Sequence, residues 1–253
     1  LRLTPYLSQM GHYQNTQSEV GQYNIVDNKN SVCYKHCMTE LPLRERKYAA
    51  TKAALTRAVA VRLKHQSLEE IAVKEICAEA QVSEGTFFNY FPTKAAVVGY
   101  RVQLWSIEAQ WSMARCLTAG GTHLEAVRIL FDTAAQGEET TPGIMREVLI
   151  YQARHTLAFS PLTRAEYALH FGEHAGIEAI QAEGLQQMLA AQLTAARRAG
   201  EVAPHLDLEA FIVTLMGVFF LTPVLLKSGQ AGSVRDAYRR QLDILLAPAL
   251  PPP

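Results

Sequence analysis

Val73-Lys-Glu-Ile-Cys-Ala-Glu-Ala-Gln-Val-Ser83-Glu-Gly-Thr-Phe-Phe-Asn-Tyr-Phe-Pro92-Thr-Lys94 decides the reading of this chain. It predicts a helix over 73–80, a tight turn, and a second helix over 84–91. Ser83 stands where its hydroxyl can accept from the free N–H groups of the second helix's first turn. Phe87 and Phe91 lie four apart and share one face, directed at the neighbouring helices. The other face carries Glu84, Gly85, Thr86, Phe88 and Asn89, too polar and aromatic for ordinary core. Gly85 in so short a helix costs about 1 kcal/mol relative to Ala. Close approach of the backbone to another surface accounts for it where local stability does not. Two short helices about a tight turn, one with a free polar face, is the layout that places a helix in a DNA groove. Asn pairs bidentately with adenine, and Thr and Phe meet thymine methyls or phosphate. Taken alone, the residues leave open a polar-faced helix within an ordinary bundle.

Outward from this stretch the pattern is helix after helix, rich in Ala, Leu, Glu, Gln and Arg, with no sustained period of two. A first helix is expected over 44–64, with Leu55, Ala58, Val59 and Leu63 at core spacing. After Pro92, Thr93 can cap a long fourth helix that ends before Gly120-Gly121. Further helices are expected over 123–136, 143–159, 164–199 (interrupted near 172–184), 208–227 and 234–246. Arg197-Arg198-Ala-Gly200 followed by Pro204 marks a helix end: cations in the last turn, then a glycine free to take positive φ. The fold class is all-α, with a helix-turn-helix domain over 44–92 and a second helical domain over 93–247. Residues 248–253 read as a Pro-rich tail.

Residues 1–43 are rich in Gln, Asn, Ser and Tyr without helical or strand period and are expected to be disordered. The chain opens on Leu1, and Met38 just ahead of the first helical segment is the expected native start. Cys33, His36 and Cys37 resemble half a metal site, but no second cluster completes it. Cys33, Cys37, Cys77 and Cys116 have no disulfide-framework spacing, which fits a reducing cytoplasm.

Net charge is +0 over 253 residues, so global basicity does not argue for nucleic acid. Its distribution does. Residues 44–101 hold 10 Lys/Arg against 6 Glu, and residues 102–253 hold 11 against 15 acids. The longest uncharged run, 210–226, is 17 residues with Pro223 near its end, at the bottom of the spanning range. It reads as a buried or subunit-contacting helix, with no membrane partner.

Ser83–Phe91, Pro92-Thr-Lys94 and the preceding Glu75-Ile-Cys-Ala-Glu-Ala80 together resemble the DNA-binding domain of the tetracycline-repressor (TetR) family over about 46–98. The remaining helices, over 93–247, fit that family's variable C-terminal ligand-binding and dimerisation domain as architecture only. The resemblance implies a cytoplasmic, homodimeric transcriptional regulator, usually a repressor, that binds palindromic double-stranded DNA without a cofactor and is released by a small-molecule effector. By matching position, Ser83 caps the reading helix, Thr86, Phe88 and Tyr90 should follow the phosphate backbone, and Glu84, Gly85 and Asn89 should face base edges. Lys94 should pair with a phosphate. Lys47 and Lys74 join the DNA-contacting set, and Arg44 and Arg46 stand nearby as a basic run. The chain departs from the family in four places. Ala72 stands where Thr usually caps, Gln81 where the turn usually has Gly, Gln66 likewise after the first helix, and Phe88 where Tyr is frequent.

Phe211, Leu215, Phe219, Tyr238, Leu242 and Leu245 are the expected dimer seam, two helices from each subunit. Trp105, Trp111, Phe131, Tyr151, His155 and Phe171 are candidates for the effector pocket. Two rival functions remain. His170-Phe-Gly-Glu173-His174 has the H-x-x-E-H spacing of an inverted zincin, a zinc hydrolase, although Gly172 interrupts it and no third ligand is evident. A helical small-ligand-binding protein without DNA activity is the other.

Overall fold

The computed structural model describes residues 41–156, 158–172, 174–226 and 233–249. The expectations for the N-terminal extension, the Met38 start, the Cys33/His36/Cys37 group and most of the Pro-rich tail therefore fall outside the described residues. Those described form ten α-helices and no strand: α1 Leu43–Leu63, α2 Val73–Ala80, α3 Glu84–Tyr90, α4 Ala96–Thr118, α5 His123–Thr140, α6 Ile144–Arg154, α7 Arg164–Phe171, α8 Leu185–Arg198, α9 Leu208–Leu225 and α10 Val234–Leu246. Short 3₁₀ turns lie at Ile177–Ala179 and Ala247–Ala249.

The first three helices pack as the spacing predicts. Leu55, Ala58, Val59 and Leu63 of α1 are buried with Ile76 and Cys77 of α2 and Phe87 of α3. Thr93 Oγ1 accepts from Ala96 N–H at 3.2 Å and so starts α4. Helix α4 is shared: its first turns lie against α1, and its length packs on α5 and α6. Helix α8 ends on the predicted device. Gly200 takes φ +75°, and the N–H groups of Gly200 and Glu201 return to the Arg197 and Ala196 carbonyls at 3.2 and 2.8 Å.

One helix is shorter than expected. Helix α6 stops at Arg154, and the residues about Ser160-Pro161, a pair that disfavours helix, are not helical. The interruption expected near 172–184 falls between α7, which stops at Phe171, and α8, with a turn at Gly176 (φ +78°).

The expected dimer residues need correction. Phe211, Leu215, Phe219, Tyr238 and Leu242 are buried inside the subunit, and Leu245 is partly so. Helix α9 is apolar on every side, so spacing alone could not choose its inward face. The face left outside runs through Ala210, Val213, Thr214, Leu221, Val224 and Leu225, with Gly217 half-buried along it. Val213 is 57% and Leu225 73% exposed, and Ile244 of α10 is 72% exposed. By length and composition α9 could cross a membrane. Its other flank, however, supplies core. Pro223 sits in its last turn and cannot donate to the Phe219 carbonyl; the buried Tyr238 hydroxyl donates to that carbonyl instead.

Candidate nucleic-acid interface

Helix α2 begins at Ala72 with half a capping box. The Glu75 carboxylate accepts from Ala72 N–H at 3.2 Å, but a methyl side chain has nothing to offer in return. Its far end is closed by Gln81 at φ 55°, the one non-glycine residue with positive φ among those described. Gln81 N–H and Val82 N–H return to the Ala78 and Cys77 carbonyls at 3.3 and 3.0 Å. The turn thus keeps the shape a glycine would favour, at the cost of a strained Gln. Two residues on, Ser83 Oγ accepts from Thr86 N–H at 3.1 Å and pairs with Thr86 Oγ1 at 2.9 Å.

Those two devices fix the roll of α3. Phe87 is fully buried, with Phe91 tilted against it at 6.0 Å and the Phe88 ring edge-on at 5.3 Å. Glu84, Gly85, Phe88 and Asn89 are exposed on the opposite side, Phe88 at 50%. A Cβ built on Gly85 would meet only Ser83 Oγ, at 3.8 Å, so nothing within the subunit demands a glycine there. Thr86 is half-buried, and Tyr90 packs on the Tyr48 ring at 4.8 Å. Lys47 and Lys74 are exposed, and no ion pair is recorded for either among the described residues. Lys94 is more committed than its position suggested. Its ammonium donates to the Glu69 and Ile71 carbonyls at 2.9 and 2.7 Å, which leaves one N–H for a phosphate. Arg62 ties α1 to α2 through the Glu75 carbonyl (3.1 Å) and the Glu79 carboxylate (3.2 Å).

Behind this surface lies a polar contact that the sequence does not announce. Lys52 of α1 reaches Glu166 of α7 at 2.8 Å, 114 residues away, and both side chains are nearly buried. The Tyr100 hydroxyl donates to the same carboxylate oxygen at 3.0 Å and lies 3.2 Å from His170 Nε2. Lys52 Nζ also stands over the Tyr100 ring at 3.9 Å. Burial pushes the Glu166 carboxyl up, but the Lys52 ammonium and the Thr163 N–H and hydroxyl outweigh it and hold it below the usual carboxylate range. Burial lowers His170 to about 4; Glu166 opposes this, while Arg101, Lys52 and Arg57 reinforce it. No run or motif marks Lys52 and Glu166 as partners; Thr163-x-x-Glu166 reads only as a helix cap.

That network also disposes of the zincin spacing. His170 points to Tyr100, while His174, beyond the end of α7, lies against Trp111 at 4.2 Å. The pair does not share a helical face, and Glu173 lies outside the described residues. No metal-binding group of three or more ligands occurs among the described residues.

The aromatic pocket candidates are scattered. Phe131 is core, edge-on to Phe219 and Tyr238 at 5.2 and 5.0 Å. Trp111 donates to the Ala175 carbonyl at 3.0 Å, and Phe171 is buried beside His174. Tyr151 faces His155 at 4.8 Å, with His155 exposed. Trp105 alone lines a cavity, one of ≈ 60 Å³ between α4, α5, α6, α8 and α9, together with Arg101, Met145, Val148, Gln152 and Phe220. The rest of its lining is mostly aliphatic, through Val102, Ala134, Ile144 and Leu185, with Phe219 beside them.

A helix-turn-helix whose second helix has an uncovered outer face, set on a helical body, defines a DNA-binding regulator. Residues 55–100 match the family model for bacterial regulatory proteins of the tetR family. Among solved structures it is similar to FadR of Thermus thermophilus, a TetR-family transcriptional repressor in complex with lauroyl-CoA. The two share 22% identity, the match covers 79% of this chain and 95% of that one, and the TM-score is 0.53. The fatty acid degradation regulator FadR of Bacillus halodurans follows at 14% identity, 78% and 95% coverage and a TM-score of 0.56. FadR of Bacillus subtilis in complex with stearoyl-CoA shows 14% identity, 78% and 98% coverage and a TM-score of 0.50. At such identities the likeness speaks for the fold. No curated protein sequence matches the chain.

Proposed function

We propose that this protein represses transcription as a homodimer on a palindromic operator and leaves it when a small molecule enters the cavity beside α4. The observation that carries the DNA reading is α3: Gly85 with open space above it, between exposed Glu84, Phe88 and Asn89. Base contacts fall to Glu84, Gly85 and Asn89, backbone contacts to Ser83, Thr86, Phe88, Tyr90, Lys47, Lys74 and the free N–H of Lys94. The occupant of the outer α9 face is a second copy of this chain. Val213, Leu221, Val224 and Leu225 form one exposed apolar stripe, and Gly217 within it lets a partner helix approach closely. Solved structures of similar fold in complex with lauroyl-CoA and with stearoyl-CoA support a small-molecule effector.

Selection of bound sequences from random duplexes tests DNA binding, half-site symmetry and half-site spacing together. Two inverted half-sites with centres one helical turn apart, about 34–36 Å, are expected. Enrichment of a single unpaired half-site would remove the dimer, and no enrichment at low salt would remove the DNA function.

A further inference from the structure

The cavity beside α4 is apolar in most of its lining, yet two of its residues carry nitrogen donors without acceptors. The Arg101 guanidinium has no hydrogen-bond or ion-pair partner among the described residues, whereas Lys52, similarly withdrawn, is held by Glu166. Burial pulls the Arg101 pKa below the ordinary arginine value, and the acid that most offsets this, Glu108, lies two turns along α4 without forming an ion pair. One turn from Arg101 on the same side of α4, Trp105 has its indole N–H shut off from solvent with no acceptor. A buried donor without an acceptor, as at Trp105, is expensive in a low-dielectric interior. With an unpaired guanidinium one turn away on the lining of the same cavity, it points to an acceptor that arrives from outside.

We infer that this cavity takes an aliphatic carboxylic acid, its carboxylate between the Arg101 guanidinium and the Trp105 N–H and its tail among Ala134, Met145, Val148 and Phe220. The inference rests on the reading of the protein as effector-responsive. Guanidinium is the side chain that suits a carboxylate best, because two parallel N–H groups match its two oxygens. At ≈ 60 Å³ the cavity has room for about two waters, so the tail enters by displacing side chains. Met145, unbranched and flexible, yields most cheaply. Arg101 also lines a crevice formed with Thr56, Val59, Ala60 and Leu63 of α1. A carboxylate that draws the guanidinium to the cavity side draws it away from the DNA-binding domain.

Octanoate and octan-1-ol are titrated into the full-length protein and followed by calorimetry and tryptophan fluorescence. The acid is expected to bind at least tenfold more tightly than the alcohol. R101M is expected to abolish that preference while keeping the alcohol's affinity. Equal affinities in the unaltered protein, no binding of either probe at millimolar concentration, or a preference that survives R101M would each overturn the inference. R101Q repeats the comparison if R101M does not fold, and the unaltered protein decides the first two outcomes alone. A gel shift on a selected operator separates this from the parent reading. Octanoate that binds with the expected preference but leaves the DNA complex intact keeps the site and refutes its effector role. Release by the alcohol as readily as by the acid keeps an effector and refutes the acid site.

Discussion

Gly85→Ala should move stability and DNA affinity in opposite directions. The new methyl has room, since its only neighbour within 4 Å is Ser83 Oγ at 3.8 Å, and Gly85 is not held at positive φ. No steric term therefore offsets the helix propensity difference of about 1 kcal/mol between Gly and Ala. Its place in the first turn of a seven-residue helix discounts this to about 0.5–1 kcal/mol, or about 1–4 °C in Tm for a domain of this size. On DNA the same methyl stands between the α3 backbone and the groove, and a loss of at least tenfold, about 1.4 kcal/mol, is expected. Thermal unfolding and a gel shift on the selected operator measure the two effects on one preparation. A stabilised variant that binds as before would refute the close approach of the α3 backbone to DNA. A destabilised one would refute the claim that the space above Gly85 is free within the subunit.

Other substitutions probe neighbouring features. Asn89→Ala should cost about 1–3 kcal/mol and relax preference at one base pair in selection experiments. Lys94→Ala should weaken all sequences alike, flatten the salt slope by about one unit, and lower unfolding stability by about 1 kcal/mol through its bonds to Glu69 and Ile71. Equal loss of specificity from both would end the division of roles. Gln81→Gly should stabilise by about 0.5–1 kcal/mol in denaturant unfolding, because relief of the αL strain exceeds the entropy gained by the unfolded chain. Tyr238→Phe should cost about 1–2 kcal/mol by stranding the Phe219 carbonyl, and less in a Pro223→Ala background, where the helix can supply the donor. His170, at about 4 when folded, is protonated preferentially in the unfolded chain. Its contribution is thus present above the unfolded value of about 6.5 and is lost as pH falls from there toward 4. His170→Gln should flatten urea stability profiles across that window by about 1–2 kcal/mol, allowing for partial solvent screening.

The helix-turn-helix and the ends of α4 and α8 were legible because those ends carry local chemistry. Ser83, Thr93 and Gly200 act through hydrogen bonds within a few residues, which the sequence writes out in order. The orientation of α9 was not legible, because a helix apolar on all sides has no stripe to read and only its neighbours decide which flank is core. Beyond Trp105, the lining of the cavity beside α4 was not legible for a related reason. Aromatic rings such as Phe131 fill core as readily as they line pockets, and here the core claimed it. Lys52 and Glu166 are individually ordinary surface-type residues, made partners only by the packing of α7 against α1.

That packing suggests how the cavity can reach the DNA. Tyr100 and Arg101 are successive residues of α4, and each engages α1 in a different way. Tyr100 holds it through Glu166 and Lys52, a nearly buried ion pair that resists separation because a lone charge left there would be costly. Arg101 meets α1 only as an unpaired cation lining an apolar crevice, a contact that a better partner can remove at little cost. Under the proposed effector response the first would serve as a pivot and the second as a releasable stop. Loss of the stop with the pivot intact would let α1 turn about the Lys52 end rather than detach, carrying α2 and α3 with it through their shared core. In the proposed dimer a rotation of that kind would change the spacing of the two reading helices without unfolding either, as release from a palindromic operator would require.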